Sequence, residues 1–150
     1  MSTTNFKIGA VVRMHCELVE PPKIKWHFIA SIDPQCICFL LNSNITPYAQ
    51  QREELKNDNI RIQKSEHGFL KNDSYLDCVE PFILNASECR YHIERGSAEV
   101  VGVLNHATLE AVRQTVQASI HIASRFQATV INAISEELTI RTTNTNAVPS

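Results

Sequence analysis

A change of hydrophobic period near residue 105 constrains this chain more than any other feature. Downstream of it, Leu109, Val112, Val116, Ile120, Ala123, Phe126, Val130 and Ile134 follow at spacings of 3, 4, 4, 3, 3, 4 and 4. That is one apolar stripe on an α-helix, and it predicts a single helix over about 106–136 with no Pro or Gly inside it. Asn105 or Thr108 can cap its start. The stripe has to be buried against the rest of the chain or against a partner chain.

Upstream, the pattern is one of short strands. Lys7–Met14 leans to β, with Gly9 as a bend or bulge position, and Pro21-Pro22 stops it. Trp26–Ile32 and Cys36–Leu41 flank the turn-like Asp33-Pro34-Gln35, which predicts a hairpin. The second of these strands is apolar on both faces and is expected to be central. Ile60–Ile62, Ser74–Val79 and Phe82–Leu84 add short strands, and Gln50–Asn57 reads as a short exposed helix or a loop. Many short strands followed by one helix predict a mainly β chain. The expected architecture is a small barrel over 6–84, a long C-terminal helix and a frayed Thr- and Asn-rich tail over 139–150.

Composition narrows the class. Fourteen Lys and Arg against 16 Asp and Glu give a net charge of −2, unlike the strongly basic balance of a protein that coats DNA. That balance leaves room for a local RNA groove. The longest apolar runs fall far below the ~18–20 residues that span a bilayer, so no membrane partner is expected. Met1–Lys7 has no apolar h-region, so no secretory signal is expected. Five cysteines, with Cys36 and Cys38 spaced C-x-C, point to buried thiols in a reducing, cytoplasmic compartment. P-loop, G-x-G-x-x-G, H-E-x-x-H and G-x-S-x-G motifs are absent, and no metal or cofactor is expected.

The segments Lys25-Trp26-His27-Phe28-Ile29-Ala30-Ser31 and His67–Cys78 resemble the PemK/MazF-type toxins of toxin–antitoxin systems, a likeness running from about residue 6 to about residue 134. The corresponding places are Gly9, Lys25, Ser31, the run Asn42 to Thr46, and Leu70 with Asp73 and Ser74. The Arg-Pro dipeptide usual in that family is absent, and Lys25-Trp26-His27 stands near its place. The resemblance implies an SH3-like barrel of the PemK/MazF/CcdB kind, paired as a homodimer. It also implies a metal-independent endoribonuclease acting on single-stranded RNA, with an antitoxin protein as partner. A second reading keeps the fold without the chemistry, as a binding or regulatory protein of a toxin–antitoxin or phage-defence locus. A β-barrel adaptor unrelated to toxins is a third.

Metal-free RNA cleavage turns the ribose 2′-OH on its own phosphodiester. It needs a group titrating near pH 7, a cation, and hydroxyl or amide donors. His27 is the first candidate acid or base, beside Lys25 and Lys23, which can clamp a phosphate. Thr46 and Ser43 can donate to a phosphate oxygen, and Asn44 can read a base edge. His67 and Lys71 form a second imidazole–cation pair around Gly68-Phe69-Leu70, with Phe69 free to stack on a base. The catalytic set is thus His27, Lys25 and Thr46, and the substrate-binding set is Lys23, Ser43, Asn44, His67 and Lys71. They would meet in a groove between the 21–27 and 42–47 loops. The plain alternatives are a strand-edge histidine, solvated lysines, and turn or capping chemistry for the polar run.

Overall fold

The hairpin at Asp33-Pro34-Gln35 forms and lies at the centre of the sheet. In the computed structural model, residues 5–17 and 19–147 are described, with side chains through 144. The strands are β1 (Ala10–Cys16), β2 (Lys23–Ser31), β3 (Cys36–Asn42), β4 (Asn59–Ile62), β5 (Ser74–Leu84) and β6 (Glu99–Val103). They form one curled six-stranded half-barrel of order β4-β5-β3-β2-β1-β6, with every pairing antiparallel. Residues 36 to 41 of β3 are all buried, as a central strand covered on both faces requires.

The register Val11↔Phe28↔Phe39 puts these side chains on one face. There they pack with Leu109, Val112, Val116, Val130 and Ile134 from two helices, α4 (His106–Ala118) and α5 (Ser124–Ala147). The other face, with Val12, Met14, Ile29 and Cys38, packs against Cys89 and Ile93 of α3 (Ala86–Glu94). Two four-residue helices, α1 (Pro47–Gln50) and α2 (Glu53–Lys56), connect β3 to β4. Gly9 bends the chain into β1 at φ +96°, a backbone region that strongly favours glycine.

Five expectations need correction. The single helix over 106–136 is two helices. After Ala118 the chain leaves the helical region at Ser119 (ψ 136°), whose Oγ accepts from the amides of His121 at 3.1 Å and Ile122 at 3.4 Å. The same hydroxyl donates to Asp58 at 3.2 Å, and Gln127 donates to the carbonyls of Val116 and Ser119 at 3.0 and 2.8 Å. Ile120, placed on the stripe by its spacing, is 81% exposed, and Ile122 is buried instead.

The expected tail is helical as far as Ala147, while 148–150 lie outside the described residues. Leu138 is buried, and Arg141 donates to the Leu104 carbonyl and to Glu137, each at 2.8 Å, tying this stretch to the end of β6. The chain is also not mainly β: helix accounts for about 39% and strand for 31%. The sheet does not stop at 84, because α3 and β6 follow. Finally, Ser74–Val79 and Phe82–Leu84 are one strand. Its pairing jumps from Cys38↔Phe82 to Leu40↔Asp77, and this bulge holds Pro81, which has no N–H to donate to a ladder.

All five cysteines are free and buried. No helix among the described residues is long and apolar enough to cross a membrane. Asn105 caps α4, its side-chain oxygen accepting from the Thr108 amide at 2.8 Å. Asn105→Ala should therefore cost about 1 kcal/mol. Scanning calorimetry should show Tm lower by roughly 2–4 °C.

Candidate functional site

β2 starts at Lys23 and β3 ends at Asn42. The pairs Arg13↔Trp26 and Trp26↔Leu41 bring the corresponding ends of β1, β2 and β3 together. The pair Asn42↔Tyr75 carries the loop before β5 to the same place. Between them lies a groove of about 400 Å³. Its lining includes four cationic residues, Arg13, Lys23, Lys25 and Lys71, with Trp26, Asn42, Ser43, Asn72 and Ser74, and, among the described residues, no carboxylate. In a chain of net charge −2 this is a marked local asymmetry.

The floor is rigid. The Trp26 ring stacks on Phe69 with centroids 6.2 Å apart and planes 26° from parallel. Asp73 accepts from Arg61 at 2.6 Å and from the Lys64 amide at 2.9 Å, which fixes the loop carrying Lys71. The Lys64 amide and the Arg61 guanidinium hold the Asp73 carboxyl below the usual range. Lys25 Nζ donates to Asn42 Oδ1 at 2.5 Å. Burial, then the Lys23 charge, lowers the Lys25 ammonium below its ordinary value.

Of the expected site residues, the groove unites Lys23, Lys25, Ser43 and Lys71. His27 is not among them. It is 1% exposed, in the interior of β2 between Val12 and Leu40, and its Nδ1 lies 3.3 Å from the Val12 carbonyl and 3.1 Å from that of Lys25. Burial lowers its pKa, so it is a neutral interior imidazole and not a surface acid or base. Thr46 caps α1, accepting from the Ala49 amide at 3.3 Å. Asn44 is exposed and outside the groove wall. His67 is 3% exposed and does structural work: Nδ1 meets the Gln63 carbonyl at 3.2 Å, and Nε2 accepts from the Asn105 amide at 3.2 Å. Arg13, Trp26 and Asn72 were not among the expected site residues, whereas Asn42 opens the expected polar run Asn42 to Thr46. Arg13 did leave a signal, as a charge inside an otherwise apolar run.

The groove offers phosphate-clamping cations, hydroxyl and amide donors and one indole, but no imidazole. Among the described residues no group of three His, Cys, Asp or Glu side chains could hold a metal ion. Asp77 sits opposite Leu40, close enough to Lys25 for their charges to interact. Burial raises the Asp77 carboxyl pKa, and the Val79 amide and Lys25 offset this only in part. A raised folded-state value means that the folded chain holds this proton more tightly than the unfolded one. Stability contributed by Asp77 is therefore lost as pH rises through the carboxylate range. Asp77→Asn should be more stable than wild type at pH 7 in urea unfolding, with the gap closing as pH falls through the raised folded-state value and gone below about 4.

No family model, curated protein or solved structure matches this chain.

Proposed function

We propose that the chain binds single-stranded RNA through its phosphate backbone, in the groove where β2 begins and β3 ends. One observation carries this reading: four cations and, among the described residues, no carboxylate line one groove of an otherwise slightly acidic chain. Spaced cations answer spaced phosphates, and hydroxyl and amide groups between them can meet sugar and base edges. The groove is local, which suits a single strand better than the wide charged face a duplex requires. This is the non-catalytic form of the PemK/MazF-like reading. Its partner is an antitoxin whose acidic segment competes for the same cations, and the functional unit is a cytoplasmic homodimer.

A second reading, metal-independent cleavage, is favoured by Lys25. An amine with a lowered pKa, held by Asn42, is the groove's candidate for taking the 2′ proton. Incubation of end-labelled single-stranded RNAs with pure protein in EDTA separates the two. Binding with intact RNA supports the first. Cleavage that survives in Lys23→Arg and disappears in Lys25→Arg, which keeps the charge but cannot act as base, supports the second. Absence of binding at low salt contradicts both.

A further inference from the structure

Phosphates account for the cations of the groove and leave its one indole without a task. Trp26 is partly exposed there, with Phe69 stacked on it. Phe69 in turn packs on Gly102 and meets His67 edge-on at 5.8 Å, so the indole is braced.

The residue directly opposite Trp26 on β1 is Arg13. Cross-strand partners project from the same face of a sheet, with Cβ atoms about 5 Å apart. Arg13 is exposed and lines the same groove. Among the described residues its guanidinium makes no ion pair and no contact with an aromatic ring. Glu99, opposite Arg13 on β6, is not bonded to it. A braced ring beside a free guanidinium is equipment for one nucleobase. The ring takes the base by its face, and the guanidinium meets its edge.

Which base follows from the donors. Guanine turns two acceptors, O6 and N7, to one edge, and they match two N–H groups of a guanidinium. Adenine and cytosine place an amino group there, which sets donor against donor, and uracil offers a single carbonyl. The rest of the groove gives little to an amino group. Among the described residues its lining has no carboxylate, and Asn42 Oδ1 already accepts from Lys25 Nζ at 2.5 Å.

We propose that the groove selects guanine in single-stranded RNA, the base stacked on Trp26 and read at O6 and N7 by Arg13. This rests on the RNA-binding reading of the same groove.

Oligouridylates carrying one central guanine, adenine, hypoxanthine or 7-deazaguanine are compared by fluorescence anisotropy. The emission of Trp26, the only tryptophan in the chain, is the second readout. The guanine strand should bind roughly tenfold or more tighter than the adenine strand. Hypoxanthine keeps O6 and N7 and should hold that affinity, whereas 7-deazaguanine lacks N7 and should lose most of the gain. Saturation with the guanine strand should quench Trp26. Arg13→Lys keeps the charge without the planar fork, and the exposed position should tolerate it. Plain oligouridylate should then bind within about twofold of wild type, while the guanine preference disappears. Guanosine monophosphate brings one phosphate against the strand's several and should compete only at far higher concentration. Competition at equal concentration would make this a nucleotide pocket and overturn the proposal. Equal binding of all four strands, a preference for adenine, indifference to N7, a guanine preference that survives Arg13→Lys, or unchanged Trp26 emission at saturation overturns it as well, and each leaves RNA binding itself standing. Failure of every strand to bind at low salt is a different result, which removes RNA binding together with the guanine site.

Discussion

Replacing Lys23 and Lys25 together by glutamate is expected to weaken binding of a single-stranded oligoribonucleotide by roughly 10²-fold or more at about 0.1 M salt. The change removes two of the four cations in the groove and adds two carboxylates to a lining that has none among the described residues. Because binding releases counterions, log Kd should also depend less steeply on log salt, by about 0.7 for each phosphate of a single strand that the groove no longer neutralises. Fluorescence anisotropy at several salt concentrations measures both. Lys23 is exposed and Lys25 half-buried, so the fold should tolerate the double change. Lys56→Glu on α2 removes the same kind of charge outside the groove wall and is the control. An equal loss in that control would mean that net charge, and not the groove, governs binding.

Gly102→Ala is expected to destabilise the chain by about 2–3 kcal/mol and to lower Tm by roughly 5–10 °C. Gly102 lies in β6 opposite Val11, and the Phe69 ring packs directly on it. A Cβ there would overlap Cδ1 and Cγ of that ring and stand 2.5 Å from Cε1. The ring has little freedom to retreat, with Trp26 stacked at 6.2 Å and His67 edge-on at 5.8 Å. Displacing Phe69 tilts Trp26, so RNA affinity should fall as well. Phe69→Leu in the same chain relieves the clash, and the double variant should lose less stability than the two single losses added together. Strict additivity in calorimetry would show that the two positions do not meet.

The sheet was legible where a strand announces its own surroundings. Cys36 to Leu41 is apolar at every position, which only a strand covered on both faces sustains, and Gly9 marked the bend before β1. The helical stripe was legible in phase and not in continuity. The turn at 119–123 keeps the apolar spacing running, so Ile120 looked buried when Ile122 takes that role. What ends α4 is a side-chain exchange between Ser119 and Asp58, 61 positions apart, and no local pattern contains it.

The site divides in the same way. Lys23, Lys25 and Ser43 could be placed together because they flank the ends of one hairpin. Arg13 needed the β1–β2 register, and Trp26 the position of Phe69. His27 was misread because alternation tells which face a side chain takes, not what covers that face. Its position in the middle of a six-stranded sheet, with α3 packed on that side, was not expected. His67 was misread for a related reason: its partner, the Asn105 amide, lies 38 positions away.

Backbone amide shift mapping tests the central claim most directly. Uniformly labelled protein is titrated with a short single-stranded oligoribonucleotide at low salt, and the moving resonances are placed on the fold. The largest movements should fall at Arg13, Lys23–Trp26, Asn42–Ser43 and Lys71–Ser74, with little change along α5. Saturating movements centred on α5 or on α3, with the groove silent, would contradict the assignment of the RNA site.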